Sequence, residues 1–328
     1  MSVRKSLIGA SALLAAGSAA MAETPVPMRP VNTYSIVARD AETGQMGAAV
    51  QSHWFSVGSI VVWAEPGVGA VATQSFVLPD YGPNGLASMR SGMSAREALD
   101  AALATDDATA VRQVGMVDAQ GNVAAHTGEN AIAAACHIEG DGFSVQANMM
   151  LNDTVCQAMY DAYLGAEGDL AERLMVALEA AEAEGGDIRG KQSAAMLVVS
   201  GDASQPAWGG RVVDLRVEDA PDPLAEMRRL LTISRVYALM TEGDDAMAEG
   251  DMEHAGRAYA QAGELAPDNH EVTFWHAFGL ATAGDMDGAR PLFSRAFAAW
   301  PQWRDIIPRL VDSELLAAEL GEEIAAIE

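Results

Sequence analysis

A threonine at a chain terminus carries two chemical functions on one residue. Its hydroxyl is the nucleophile, and its α-amine, with a reference pKa near about 7.7, takes the hydroxyl proton at neutral pH. Thr33 is the candidate, heading the alternating run TYSIVAR. Attack on an amide carbonyl also needs donors for the developing oxyanion, and Asn148 in SVQANMM and Gln74 in ATQSF carry side-chain amides suited to it. Ser35 lies two residues along the same strand face, where it assists Thr33 or satisfies a hydrogen bond. Lys191, one of two lysines in the chain, either stabilises charge near the nucleophile or sits on the surface. Arg39, Glu129, His53 and Gln74 are the candidates for contacting substrate or orienting the amine.

Other chemistries have less in their favour. Ser52 and His53 suggest a Ser/His dyad, but adjacent strand residues face opposite sides and do not bond readily. The six histidines have no HExxH spacing, and His126 and His137 fall on separate hairpins. A GxSxG elbow, a phosphate loop and a dinucleotide fingerprint are absent from the sequence. No metal and no cofactor is implied.

The elements that must position these residues begin with a hairpin. Thr33 to Arg39 alternates with period two, Ala41-Glu42-Thr43-Gly44 supplies a turn, and Gln45 to Trp54 resumes a strand. The simplest register brings Thr33 and Ser52-His53 to one rim. Strands are expected at Ser59 to Trp63 and Gly67 to Phe76, with Pro83-Asn84-Gly85 breaking the chain. Ser94-Ala95-Arg96-Glu97 is a capping box that opens a helix. Two hairpins follow, Val111 to His126 and Ala131 to Met150, then a helix capped by Asn152 and a second from Leu170 to Ala183. Ser193 to Val199 and Arg211 to Val217 close the sheet. Strands, helices and strands again suit two packed antiparallel sheets with helices outside.

Composition sets the outer bounds. The 328 residues and their 50% apolar content suffice for two domains with a sizeable core. A formal charge of −26 argues against binding nucleic acid or anionic membrane surfaces. Residues 1–22 read as a signal peptide: Arg4 and Lys5, an apolar run from Leu7 to Ala20, and Ala20-Met21-Ala22 before a cut after Ala22. No later stretch is apolar for long enough to span a membrane. The expected product is therefore exported, periplasmic or secreted. There Cys136 and Cys156 form a disulfide or remain two buried thiols. Residues 23–32, ETPVPMRPVN, carry three prolines and read as a linker or propeptide. A cut after Ala22 leaves Thr33 with an amide nitrogen, so the mechanism requires a second cut between Asn32 and Thr33.

Several separated motifs carry a resemblance: TYSIVARD, AVQSHWFSVG, WAEPGVGAVATQSF, YGPNGL, VRQVGMVDAQGNVAAHTG, SVQANMML, KQSAAMLVV and VDLRVEDAPDPLAEMRRLL. Over about residues 33 to 232 the chain resembles the domain of unknown function 1028 family, a group similar to N-terminal-nucleophile (Ntn) hydrolases. The resemblance implies an α+β fold, a four-layer αββα sandwich over residues 33–222, with Thr33 as nucleophile once it is N-terminal.

Residues 223–328 are a different object. A 34-residue period pairs Gly250-Asp251-Met252 with Gly284-Asp285-Met286, Ala255 with Ala289, Tyr259 with Phe293, Ala262 with Ala296 and Pro267 with Pro301. This is the tetratricopeptide pattern, flanked by capping helices Leu224 to Glu249 and Trp303 to Ala326. Trp275, Trp300 and Trp303 pack in its core or line a peptide groove. Two functions compete. The first is an exported amidohydrolase cleaving a C–N amide bond in a small amide or peptide-like compound through an acyl-enzyme on Thr33, with the tail recruiting a protein partner or self-associating. The second is a non-catalytic binding or scaffold protein whose working part is the tail.

Overall fold

Strands β1 (Thr33–Arg39) and β2 (Met46–Ser52) form the opening hairpin, paired without a bulge from Arg39 opposite Met46 to Thr33 opposite Ser52. Asp40 fixes that register. Its Oδ1 accepts from the amides of Glu42 and Thr43 at 2.9 and 2.8 Å, while Gly44 takes the left-handed φ of 71° that the turn requires. The computed structural model describes residues 30–327. The expected signal peptide and its cut after Ala22 lie outside them.

The hairpin sits at the centre of a six-stranded antiparallel sheet. Its flanks are β7 (Cys136–Gly140), β8 (Phe143–Ala147), β9 (Ser193–Val199) and β10 (Arg211–Val217), in the order β10-β9-β2-β1-β8-β7. A second sheet contains β3 (Val62–Glu65), β4 (Gly69–Ser75), β5 (Arg112–Asp118) and β6 (Val123–Thr127), in sequence order. Alternation along β1 separates two cores: Val37 joins Met46, Val50, Ala70 and Val117 between the sheets, while Tyr34 and Ile36 face the opposite way. Helices α3 (Val155–Gly165) and α4 (Leu170–Ala183) cover that outer face through Met159, Leu174 and Leu178. Helices α1 (Tyr81–Arg90) and α2 (Ala95–Leu103) cover the second sheet through Leu86 and Leu99.

Some local expectations change. The Ser94–Glu97 capping box is present as read. Pro83-Asn84-Gly85, expected to break the chain, lies inside α1. Pro83 is in the first turn, where its missing N–H has no intrahelical partner to lose. Gly85 lets the helix approach Met116, whose Cε would lie 2.9 Å from an added Cβ. Asn152 does not cap α3; its amide donates to the Glu184 carbonyl at 2.6 Å and the helix begins at Val155. Cys136 and Cys156 are joined in a disulfide that ties edge strand β7 to α3.

A C-terminal helical region follows the sheets. Helix α5 (Pro223–Glu249) starts at the Asp222 cap, and its first turns enter the outer core through Leu224, Met227 and Leu231. Then come α6 (Met252–Leu265), α7 (His270–Thr282), α8 (Met286–Ala299), α9 (Trp303–Asp312) and α10 (Ala318–Ala325). Asp251 and Asp285 cap α6 and α8 in the same manner, and the period-matched Ala255, Tyr259 and Ala262 are buried like Ala289, Phe293 and Ala296. The last expected helix is two, because the chain breaks around Glu314, whose φ is 61°. Trp275 and Trp303 pack against Phe274 in the core of this region, whereas Trp300 is half exposed and stacks on His270.

Candidate functional site

The unbulged β1–β2 register places Thr33 opposite Ser52, and their hydroxyl oxygens lie 3.0 Å apart. Ahead of Thr33, residues 30–32 cross from one sheet to the other. Val31 forms an antiparallel bridge with Ser75 at the end of β4, its N–H donating to the Ser75 carbonyl at 2.7 Å and its carbonyl accepting from the Ser75 N–H at 3.0 Å. Thr33 is consequently fully buried, and its nitrogen is a peptide nitrogen. Its hydroxyl also lies within bonding distance of the Val31 carbonyl, at 2.9 Å.

The carbonyl that precedes Thr33 is held by two side-chain donors. Asn32 O accepts from Ser52 Oγ at 2.5 Å and from Arg189 Nη2 at 2.8 Å. Arg189 is held in turn by Asp187, whose Oδ1 accepts from Nε at 3.0 Å and Oδ2 from Nη2 at 2.7 Å. The Asp187 carboxylate is buried and also accepts from the main-chain amides of His53 and Arg189 at 3.1 and 2.9 Å. A hydroxyl and a fixed guanidinium thus converge on one amide oxygen, the arrangement that stabilises a tetrahedral oxyanion. Two non-glycine residues with left-handed φ border the site, Ser75 at 68° and Met149 at 56°, and such backbone outliers cluster at functional sites.

A cavity of about 810 Å³ opens beside the segment, lined by Asn32, His53, Trp54, Met149, Arg189 and Gln192 among others. Phe55, 64% exposed, stands at its rim. A smaller recess of about 270 Å³ lies beside Tyr81 and Asp106, bordered by their own hydrogen bond.

The sequence candidates divide into three groups. Gln74 and Asn148 lie beneath Thr33, donating to its own carbonyl at 3.2 and 3.4 Å, and not beside the Asn32 carbonyl. Both join a buried network in which Ser35 donates to Gln74 Oε1 at 2.6 Å, Gln146 donates to Ser35 at 2.7 Å, and Asn148 and Gln74 donate to Gln113 Oε1 at 2.8 and 2.7 Å. This network stiffens the floor of the site. His53 borders the cavity, with a buried Nδ1 that has no hydrogen-bond partner.

The remaining candidates lie apart from Thr33. Arg39 ends β1, about 20 Å away at the usual strand rise of ~3.3 Å per residue. Glu129 is exposed in the loop after β6. Lys191 lies 3.3 Å from Asp222 and 3.7 Å from Glu182. Glu182 also accepts from the Tyr34 hydroxyl, whose pKa burial and that carboxylate push well above the usual range. Reading residue types from the sequence missed Arg189 and Asp187. Their one sequence signal is the GGDIRG loop, whose Gly185, Gly186 and Gly190 all adopt left-handed φ and fold the aspartate onto the arginine.

Residues 33–227 match the model of the Family of unknown function (DUF1028). The chain belongs to this family. The crystal structure of protein SPO2555 from Silicibacter pomeroyi, assigned to the same DUF1028 family, is similar to it at 29% identity and a TM-score of 0.55, covering 62% of this chain and 89% of that one. No curated protein matches the sequence. Among the described residues of this DUF1028 member, no group of three or more His, Cys, Asp and Glu side chains is placed to hold a metal, and no helix is long and apolar enough to cross a membrane.

Proposed function

We propose that this DUF1028 member is an Ntn-type amidohydrolase whose nucleophile is Thr33, released by cleavage of the Asn32–Thr33 bond. The observation that carries this reading is the grip of Ser52 Oγ and Arg189 Nη2 on the Asn32 carbonyl oxygen. Those donors surround the carbonyl that must accept a nucleophile for Thr33 to become terminal. Two packed sheets with helices outside them, set by the alternation along β1, suit the αββα sandwich expected of such an enzyme.

The cut and the later turnover use the same parts. In the cut, Thr33 Oγ1 adds to the Asn32 carbonyl carbon, the oxyanion rests between Ser52 and Arg189, and the C–N bond breaks as the nitrogen gains a proton. Water hydrolyses the resulting ester, giving an Asn32 carboxylate and a free Thr33 amine. In turnover, that amine takes the proton of its own hydroxyl as Oγ1 attacks a substrate amide, and the proton passes to the leaving nitrogen. Water then resolves the acyl-Thr33 ester. The substrate carbonyl oxygen takes the place that Asn32 O holds.

Export fits the Cys136–Cys156 disulfide, which persists in an oxidising compartment. The paired helices of the tail, α5 with α6 and α7 with α8, fit tetratricopeptide units that recruit a protein partner. A second reading, a binding protein in which Thr33 stays internal, is favoured by the complete burial of Thr33 beneath Val31 and Asn32. Intact mass and N-terminal sequencing of the exported protein separate the two. A chain beginning at Thr33 supports the hydrolase; one that retains Asn32 supports the binder. Thr33→Ala must abolish both the cut and amide hydrolysis, and full activity in that variant overturns the proposal.

A further inference from the structure

The segment that covers Thr33 is bound as a peptide in a site. Val31 exchanges two backbone hydrogen bonds with Ser75, at 2.7 and 3.0 Å, and buries its side chain among the inter-sheet residues that include Val50, Val57 and Ala72. Asn32 presents its carbonyl to Ser52 and Arg189, while Arg189 Nη1 reaches the Pro30 carbonyl at 3.5 Å. The Asn32 side chain fits less well. Its Nδ2 meets only the weak acceptor Met149 Sδ at 2.9 Å, and its Oδ1 is buried without a hydrogen-bond partner. Among the lining residues, Met149 and Ile132 give that slot an apolar wall.

From this geometry we infer that the place filled by residues 30–32 is an acyl-side subsite for extended peptides. The inference rests on the Thr33 reading and narrows its substrate class to peptidyl amides. The backbone pairing with Ser75 recognises an extended chain whatever its side chains, as strand addition does. The residue second from the scissile bond fills the Val31 slot and is apolar and branched. The residue at the bond has the size of Asn and no charge, and leucine, nearly isosteric with Asn, fits better because it leaves no buried oxygen unpaired. The Pro30–Asn32 segment is then a substrate-like occupant that keeps the site closed until the cut.

The test uses the chain from Thr33 to Glu328, which keeps both sheets, their helices and the tail, with coumarin amides as probes. Acetyl-Pro-Val-Leu-coumarin is hydrolysed faster than its Pro-Val-Asn counterpart. Replacing the Pro–Val amide with an ester removes the N–H that Ser75 accepts and lowers kcat/KM by about three- to tenfold. Acetyl-Leu-coumarin, which lacks that residue, loses at least as much. Binding of acetyl-Pro-Val-Leu-amide and its ester analogue to the Thr33→Ala form separates the two claims. Ester-sensitive binding without hydrolysis by the Thr33 form upholds the subsite and overturns the nucleophile. Thr33-dependent hydrolysis of acetyl-Leu-coumarin, with no binding of the tripeptide or equal binding of its ester, overturns the subsite and leaves the hydrolase standing.

Discussion

Thr33 and Ser52 face each other across the first hairpin with their hydroxyl oxygens 3.0 Å apart, and Ser52 donates onward to the Asn32 carbonyl at 2.5 Å. Sheet register, set at the far end of the hairpin by the Asp40 turn, is thus what places a donor on the carbonyl one residue before Thr33. Ser52→Ala removes that donor and leaves the strand intact. The cut at Asn32–Thr33 is expected to slow by about a hundredfold or more, as when one oxyanion donor is lost. Stability falls by only about 1 kcal/mol. Pulse-chase intact mass measures the first and thermal melting the second; an unchanged cutting rate removes Ser52 from the mechanism.

Arg189 makes a stronger demand because Asp187 depends on it. The planar fork of Arg189 reaches both Asp187 oxygens while Nη2 also reaches Asn32 O. Arg189→Lys keeps the charge but not the fork, so the cut slows by about tenfold or more. Arg189→Met additionally strands a fully buried carboxylate and is expected to cost about 3 kcal/mol of stability. The pair of variants separates positioning from folding. If lysine restores full cutting, a point charge suffices and the fork has no special role.

The sequence made one side of this site readable and hid the other. Period-two alternation and the turn at Asp40 locate Thr33, Ser35 and Ser52 on a common face, since strand neighbours report on each other locally. The same alternation says nothing about position along the strand, which is why Arg39 shares β1 with Thr33 but lies at its opposite end. Arg189 arrives from a loop far along the chain, and only the closed sheet brings it to Asn32 O. Lys191, two residues later, is conspicuous in the sequence for its rarity but turns toward Asp222. Helix α1 shows the same limit at a local scale: Pro83 and Gly85 read as a break until the contact of α1 with β5 makes small residues useful there.

The acid limb of stability reports on a second buried pair. Asp106 accepts from Arg112 Nε at 2.7 Å and from the Tyr81 hydroxyl at 3.0 Å, joining α1 to β5. Burial raises the Asp106 pKa, but hydrogen bonds from Arg112, the Ala108 amide and Tyr81, with the Arg112 charge, outweigh it and hold the group below its ordinary 3.8. The folded value being depressed, the stabilisation is complete above that ordinary value and disappears as pH falls through the lower folded one. The difference in melting temperature between wild type and Asp106→Asn is therefore constant near neutrality and narrows below about pH 4. Asp40 and Glu172 are also depressed, and the difference measurement cancels their shares. A gap that widens in acid contradicts the assignment.

The disulfide sets the remaining prediction, because it fastens an edge strand to the helix that covers it. Strand β7 is an edge strand, half exposed along its length, and Cys136 links it to Cys156 on α3 across a separation of 20 residues. Closing a loop of that size lowers the entropy of the unfolded chain, and its loss costs about 3 kcal/mol. Replacing both cysteines with alanine is therefore expected to lower the melting temperature by roughly 5–10 °C. Dithiothreitol lowers the melting temperature of the wild type similarly and leaves the double variant unaffected. Since β8 lies between β7 and β1, the frayed edge also loosens the sheet that holds Thr33, and the cut at Asn32–Thr33 slows under reducing conditions. Equal melting and equal cutting in the oxidised and reduced forms would show that the hydrogen bonds of β7 to β8 and of Glu139 and His137 to β6 hold it without the disulfide.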